Sequence, residues 1–507
     1  MSMQTPSDVS TDICLLLEGT WPYVRGGVSS WINQMILGLP EITFSIVFIG
    51  GSRDAYPSYQ YAIPENVKHI EEIYLEDTLS LNKNLPIQIK EPKSSEPLKI
   101  FYEFLHAPDA PSTGLAEELL DALVRGMIPR DIVMRSEASW NVVCNGYSQH
   151  CSDPSFIDFF WTLRTMQAPL LALTELAHRL PKARAVHSIS TGYAGFMGCI
   201  LRKLWDCNFI LSEHGIYTKE RKIDLAQAQW IAEYHDQTFR GGLNASSSYM
   251  RTLWIRFFER LSLLIYQSAN PIVSLYDGNR QRQIHDGADP LRTQVIPNGI
   301  NLLGWQSVYA SRISSANPII GLIGRIVPIK DIKTFIRSVR SIVSQIPQVQ
   351  AWIVGPEEED PHYVSECRSL VTSLGLQDNI IFLGFQNIKE ILPQLDLMVL
   401  TSISEAQPLV ILEAWAAGTP VVTTDVGACS ELIYGITEED KALGCAGEVV
   451  AIADPLAIAR SICTILSDDD YWKTLQANGL ARVNRFYSEA LMLDRYRALY
   501  HTAIEKI

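Results

Sequence analysis

The sequence predicts an α/β protein made of two doubly wound, parallel-sheet halves, and three observations point there. Short apolar runs end in glycine-containing turns, the mark of buried parallel strands. Helical stripes of 3.6-residue period follow them. A strand, turn, helix, strand order recurs in both halves, and such a βαβ unit is almost always right-handed. The length of 507 residues suits this, since domains run to roughly 100–200 residues.

Residues 13–17 form the first strand and end at Glu18-Gly19. After Gly26-Gly27, apolar residues fall at Val28, Trp31, Ile32, Met35, Ile36 and Leu39, one stripe of a helix. Residues 43–49 make the next strand, and 185–188 and 209–212 two more. Residues 75–180 fit this alternation less well: a Lys/Pro-containing stretch, 81–97, precedes mostly helical segments. That region is expected to be a helical insertion. In the second half, 319–323 is a strand, and Asp331 caps a helix with Phe335, Ile336, Val339, Ile342 and Val343 on its stripe. Strands follow at 351–354, 380–383, 397–400 and 420–423. The polar, small-residue stretch 304–318 is the expected linker. The expected domains are therefore 1–303 and 319–485, with a C-terminal helix over 486–507 able to cross back to the first.

Composition narrows the function. With 47% apolar residues the chain is not disordered, collagen-like or a coiled-coil rod. The 42 Lys+Arg against 56 Asp+Glu give a net charge of −14, which disfavours nucleic acid as a partner. The most apolar helical stretch, 156–176, is broken by Asp158, Arg164 and Glu175, so no membrane span is expected. The start, MSMQTPSDVSTD, lacks a signal peptide's basic and apolar regions. Nine scattered cysteines without a C-x-x-C pair read as reduced thiols in the cytoplasm rather than zinc ligands.

Four clusters have chemical potential. Glu405 and Glu413 flank the start of a helix after strand 397–400, with Pro408 suited to its first position. Free amides near Leu409 and Val410 would suit a phosphate. Taken alone, the two glutamates read as a dipole-favoured charge and a solvated helix residue. Arg325 and Lys330, five apart on a strand-to-helix loop, can converge on a diphosphate or be ordinary surface cations. Gly26-Gly27 allows close backbone approach by a ligand, without the G-x-G-x-x-G dinucleotide spacing, or is a tight turn. His214 ends a strand where it can hydrogen-bond a substrate hydroxyl or phosphate, or serve as a satisfied structural histidine; His187 has a weaker case. There is no G-x-x-x-x-G-K-[ST], H-E-x-x-H or G-x-S-x-G motif. The Asp468-Asp469-Asp470 run lies between helical patterns and reads as a solvated connection, not a metal site.

In order, Gly26-Gly27-Val28, Val295-Ile296-Pro297-Asn298-Gly299-Ile300, Gly324-Arg325 with Lys330, and Glu405 with Glu413 resemble the retaining glycosyltransferases of family 4. The stretches LEGTWPYVRGGVSSW and SEHGIYTKER are similar to members serving bacterial Pel exopolysaccharide synthesis. The resemblance implies a GT-B fold: two Rossmann-like domains facing a central cleft, with 1–303 on the acceptor side and 319–485 binding the nucleotide-sugar. It implies transfer of a hexose or N-acetylhexosamine from a UDP-sugar to a growing polysaccharide, without cofactor or metal. Arg325 and Lys330 would hold the diphosphate, Glu413 the ribose and Glu405 the transferred sugar. Amides near Gly27, Leu409 and Val410 would cradle phosphates. Ala406-Gln407 departs from the usual Gly-Phe or Gly-Leu and bears on sugar specificity. Expected partners are the donor, the acceptor and membrane-embedded synthase or export subunits that recruit the protein to the inner membrane face. The alternatives are a catalytically silent nucleotide-binding scaffold and a nucleotide-sugar epimerase; four intact site residues speak against the first, and the motif order against the second.

Overall fold

The computed structural model describes residues 10–79, 91–109, 111–112, 114–151, 155–227, 249–313 and 317–505. Among these, thirteen strands form two sheets, of seven and six. The chain divides into two compact units: Met1–Ser274 with Arg280–Gln294 and Tyr496–Ile507, and Leu275–Asn279 with Val295–Arg495. The sheets identify both as Rossmann-like.

In unit 1 the strands are β1 (Thr11–Glu18), β2 (Phe44–Gly50), β3 (Val67–Tyr74), β4 (Ala183–Ser188), β5 (Asn208–Glu213), β6 (Ile272–Ser274) and β7 (Thr293–Val295). Their order is β3-β2-β1-β4-β5-β6-β7, with parallel pairing from β3 through to β6. β2 is buried along its whole length, which is why its sequence is a continuous apolar run. Between β3 and β4 lie helices Glu96–His106, Leu115–Val124, Arg130–Arg135, Glu137–His150 and Phe156–Ala177. The first part of the Lys/Pro stretch, 81–90, lies outside the described residues.

In unit 2, β8 (Ile319–Ile323), β9 (Gln350–Val354), β10 (Ile380–Gly384), β11 (Leu397–Leu400), β12 (Val421–Thr424) and β13 (Gly447–Val450) run parallel in the order β10-β9-β8-β11-β12-β13. Asp331 caps helix Ile332–Val343, its side chain accepting from the Thr334 amide at 3.3 Å. The stripe Phe335, Ile336, Val339 and Ile342 is buried against the sheet core. Each sheet thus reverses its winding once, between β1 and β4 and between β8 and β11. At such a point the loops after neighbouring strands part, leaving a crevice at the carboxyl ends.

Two boundaries differ from expectation. The stretch 304–318 is not a free linker: it carries helix Trp305–Ala310, with Trp305 and Val308 buried in unit 2's core. Arg312 then donates to the Leu395 carbonyl at 2.9 Å and to Thr419 Oγ1 at 2.7 Å. One tryptophan and one arginine outweigh the polar composition around them. The first half ends earlier than residue 303, because unit 1 stops at Gln294 and resumes at Tyr496. Within unit 1, Tyr500 and Tyr496 from the last helix are buried beside His187 and Ser212.

His187 bonds the Tyr500 and Ser212 hydroxyls at 2.8 Å each, and burial drives its imidazole down to about 3, with His214 adding to the depression. The folded value lies below the unfolded one of about 6.5, so the unfolded chain takes the proton first as pH falls. Relative to a His187→Gln variant, wild-type stability should therefore fall by about 1.4 kcal/mol per pH unit between about pH 6 and pH 4. Unfolding curves of both proteins at several pH values read this difference directly. A pH-independent difference would show that His187 is not held neutral.

No helix among the described residues is long and apolar enough to cross a membrane. No disulfide joins any of the nine cysteines.

Candidate active site

The unit 2 site grows from the two loops at its winding reversal. One follows β8 and carries Arg325 and Lys330; the other follows β11 and carries Glu405. They are laced together. Thr401 Oγ1 donates to the Lys330 carbonyl at 2.8 Å and the Asp331 carbonyl at 3.1 Å, and the Ile403 amide donates to the Ile329 carbonyl at 2.8 Å. Lys330 Nζ then meets Glu405 Oε1 at 2.5 Å, and Ser402 Oγ donates to the same oxygen at 2.6 Å. Lys330 and Glu405 are largely buried, at 19% and 13% side-chain exposure, so their pairing is shielded from solvent.

Gly427 fixes the far side of this loop. Its φ of +54° suits glycine, and a Cβ there would stand 2.3 Å from the Glu405 carbonyl oxygen. The Ala428 amide donates to the Ala406 carbonyl at 2.7 Å.

Arg325 takes a more open position. Its Nη1 donates to both Glu359 carboxylate oxygens at 2.7 Å, with both side chains about half exposed, at 55% and 51%. Such a surface pair is worth about 0.2–1 kcal/mol, less than a charge-assisted bond to a phosphate can return. Arg325 is therefore available to an anionic ligand.

Helix Leu409–Ala416 starts one residue later than expected, because Pro408 occupies the N-cap at φ −72° and ψ 111°. Its extended ψ is incompatible with a first helical turn. Leu409 and Val410 become the first two helical residues, so their amides lack intrahelical acceptors. Glu413, a turn further in, is part-buried, and burial raises its carboxyl against the pull of Lys389. Asp468 is an ordinary N-cap, accepting from the Asp470 and Tyr471 amides at 3.1 and 2.9 Å.

Gly26, Gly27 and His214 belong to unit 1. Gly26 is extended at φ 166° and caps helix Gly27–Gly38. A Cβ on either glycine would meet nothing within 4 Å, so neither the backbone nor packing demands glycine there. Open space over a helix start is what an approaching ligand needs. His214 follows β5 and is 9% exposed, its ring edge-on to Trp31 at 4.5 Å. Burial lowers it to about 4, so it is a neutral imidazole near pH 7. Its Nε2 is buried without a partner in the fold.

Sequence reading missed Glu359, Thr401, Ser402 and Gly427 as supports of this site. It also missed Gln407's part: the buried side chain accepts from the Asn298 amide at 2.7 Å, tying the Asn298-Gly299 motif to the Glu405 loop. The signal for Gln407 was present as the departure from Gly-Phe; the others are common residues visible only through contacts.

Comparison with known proteins adds the following. Residues 11–291 match the family model described as "Domain of unknown function (DUF3492)", and residues 317–468 the model described as "Glycosyl transferases group 1". The lipopolysaccharide core biosynthesis mannosyltransferase LpsB of Rhizobium meliloti (strain 1021) is 33% identical over 204 residues, covering 38% of this chain and 56% of that protein. N-acetyl-alpha-D-glucosaminyl L-malate synthase of Bacillus anthracis is 25% identical over 193 residues, covering 38% and 47%. The chain thus spans about half the length of these relatives. Among solved structures, Anabaena HepE with UDP and glucose matches at TM-score 0.55 and 16% identity, covering 97% of this chain and 100% of that one. Sucrose-phosphate synthase from Thermosynechococcus elongatus matches at TM-score 0.58 and 17% identity, covering 97% and 98%. These likenesses show the fold, that of GT-B glycosyltransferases.

Proposed function

Because the chain belongs to the family described as Domain of unknown function (DUF3492), and carries a Glycosyl transferases group 1 region behind that part, we propose that it is a retaining, nucleotide-sugar-dependent glycosyltransferase. It moves a hexose or N-acetylhexosamine from a UDP-sugar to a growing exopolysaccharide. The observation that carries the reading is the laced pair of loops at the β8/β11 reversal, with Lys330 on Glu405 beside the first amides of helix Leu409–Ala416. Two cations, free amides and two carboxylates carried by the loops and helix at this reversal would suit a ligand that is anionic at one end and hydroxylated at the other.

In this reading Arg325, Lys330 and the amides of Leu409 and Val410 hold the diphosphate. Glu413 accepts the ribose hydroxyls, and Glu405 contacts the transferred sugar near its reacting carbon. In unit 1, Gly26 and Gly27 leave open backbone for a ligand, and His214 offers a neutral imidazole. The anomeric C–O bond to phosphate breaks, the acceptor oxygen bonds to the same face of that carbon, and the acceptor's proton leaves on the departing phosphate. Charge grows on the diphosphate as this happens, so preorganised donors there speed the reaction more than they tighten ground-state binding. Those donors supply the stabilisation without a metal. A role like that of PelF, in the cytoplasm and recruited to the membrane by synthase or export subunits, follows from the resemblance in the two long motifs.

UDP titration of the full chain tests the donor-site assignment. Glu413→Ala should weaken UDP binding about tenfold or more, the size expected for losing hydrogen bonds to a carboxylate. Glu405→Gln should leave UDP affinity near wild type while transfer slows. Wild-type affinity and wild-type rate in both variants would reject the assignment. Tight UDP binding with no nucleotide released from any donor would favour the scaffold alternative.

A further inference from the structure

Asn298 lies in the Val295–Ile300 motif, to which the donor-site assignment gives no role. Unit 2 resumes at Val295, and the buried Ile296 and Ile300 anchor the segment on either side of Asn298. The backbone between them is held from two directions. The Asn298 amide donates to Gln407 Oε1 at 2.7 Å. The Ile300 amide donates to the Tyr487 carbonyl at 3.0 Å, and the Glu489 amide to the Ile300 carbonyl at 2.8 Å. Close approach demands glycine at 299, since a Cβ there would stand 2.3 Å from the Ser488 carbonyl oxygen.

The Asn298 side chain is the exception in this pinned segment. It is 8% exposed, and its Oδ1 is buried without a hydrogen-bond partner among the described residues. An asparagine in a turn ordinarily accepts from the backbone two residues on. Asn301 does so, taking the Leu303 amide on Oδ1 at 2.9 Å. Asn298 Oδ1 accepts no such bond. Buried polar atoms without partners are rare, and one fixed in place by its backbone is suited to a ligand.

Its neighbour sets which part of a ligand it can reach. Gln407, 6% exposed, stands two residues after Glu405, on the loop that Gly427 and Ala428 support from the far side. That loop carries the carboxylate assigned to the transferred sugar. A carboxamide accepts through Oδ1 and donates through Nδ2, so it matches a neighbouring donor and acceptor: two adjacent hydroxyls, or an acetamido group. It offers a diphosphate no charge, unlike Arg325 and Lys330. A phenylalanine at 407 would have no oxygen for the Asn298 amide, so the departure from Gly-Phe is what fixes this asparagine.

We propose that Asn298 is a specificity-determining contact of the unit 2 site, whose side-chain amide hydrogen-bonds a polar ring substituent of the transferred sugar, with Gln407 as its positioning residue. Naming the ligand a donor sugar rests on the transferase reading, so the test reads binding apart from turnover.

The full chain would be titrated with UDP, UDP-glucose, UDP-galactose, UDP-N-acetylglucosamine and UDP-N-acetylgalactosamine. Wild type should prefer one UDP-sugar over the others. Asn298→Ala should cut that preference about fivefold, the size of one neutral hydrogen bond, while UDP affinity stays near wild type. A gluco/galacto preference marks a hydroxyl as the group bound, and a preference for the acetamido sugars marks that group. Asn298→Asp, which keeps the shape but loses the N–H donor, should change the preference too, and it serves if the alanine variant fails to fold. Gln407→Met removes the acceptor for the Asn298 amide and should lower the same preference; Gln407→Glu keeps an oxygen there and should retain it. A merely structural role would weaken UDP and every UDP-sugar alike. That equal loss, an unchanged preference in Asn298→Ala, or no discrimination by wild type would overturn the proposal. No binding of UDP by wild type would reject the donor-site reading and this contact with it. An Asn298-dependent preference in a protein that releases no nucleotide would support the contact and reject the transferase reading.

Discussion

Lys330→Ala should lower kcat for sugar transfer about 10²–10³-fold, the usual cost of removing one donor that stabilises charge formed in the transition state. Glu405 holds the side chain, and Thr401 holds the backbone beneath it through the Lys330 and Asp331 carbonyls, so the ammonium is positioned before any substrate arrives. A preorganised cation loses little in reorganisation when charge develops beside it. The effect should therefore fall on kcat more than on UDP affinity. Lys330→Arg keeps the positive charge but spreads it over a larger planar group placed differently, so it should recover only part of the rate. Steady-state kinetics with saturating donor separates the two parameters. A Lys330→Ala enzyme with unchanged kcat would remove the loop after β8 from the chemistry.

Arg482→Met should destabilise unit 2 by about 3–5 kcal/mol, because it strips a buried carboxylate of its partner. Arg482 has no exposed surface, and its Nε donates to Asp440 Oδ1 at 2.6 Å. The remaining nitrogens donate to the carbonyls of Ile433, Asp440 and Gly444 at 2.6, 2.9 and 2.9 Å, closing the turn after helix Cys429–Tyr434. Removing the guanidinium leaves those acceptors dry and Asp440 charged in the core. Adding Asp440→Leu to Arg482→Met should return part of the loss, since replacing both partners removes the stranded charge. Thermal unfolding of the three variants measures this. An Arg482→Met midpoint equal to wild type would mean that solvent reaches the pair.

How much of this was legible in the sequence depended on burial. β1, β2, β8, β11 and β12 read clearly, because strands covered on both faces are unbroken apolar runs. β3 was missed. Its sequence, VKHIEEIY, lies at the edge of the sheet with most residues only part-buried, so charge is tolerated where a central strand would exclude it. β13, GEVV, is a short edge strand and was missed for the same reason. The linker failed on two side chains: Arg312, bonded to Leu395 and Thr419, and Trp305, covered by Lys389, all more than eighty residues away in the chain. Of the site, Arg325, Lys330, Glu405 and Glu413 were visible as ordered motifs. Their supports were not: Thr401, Ser402 and Gly427 carry no signature until the loops after β8 and β11 are brought together.

The most direct test of the central claim is nucleotide release. The purified full chain would be incubated with a panel of UDP-, ADP- and GDP-sugars, with and without oligosaccharide acceptor, and free nucleotide and sugar product quantified. The account predicts acceptor-stimulated release of UDP, with the product in the same anomeric configuration as the donor. No nucleotide released from any donor, in a chain that still binds UDP, would contradict it.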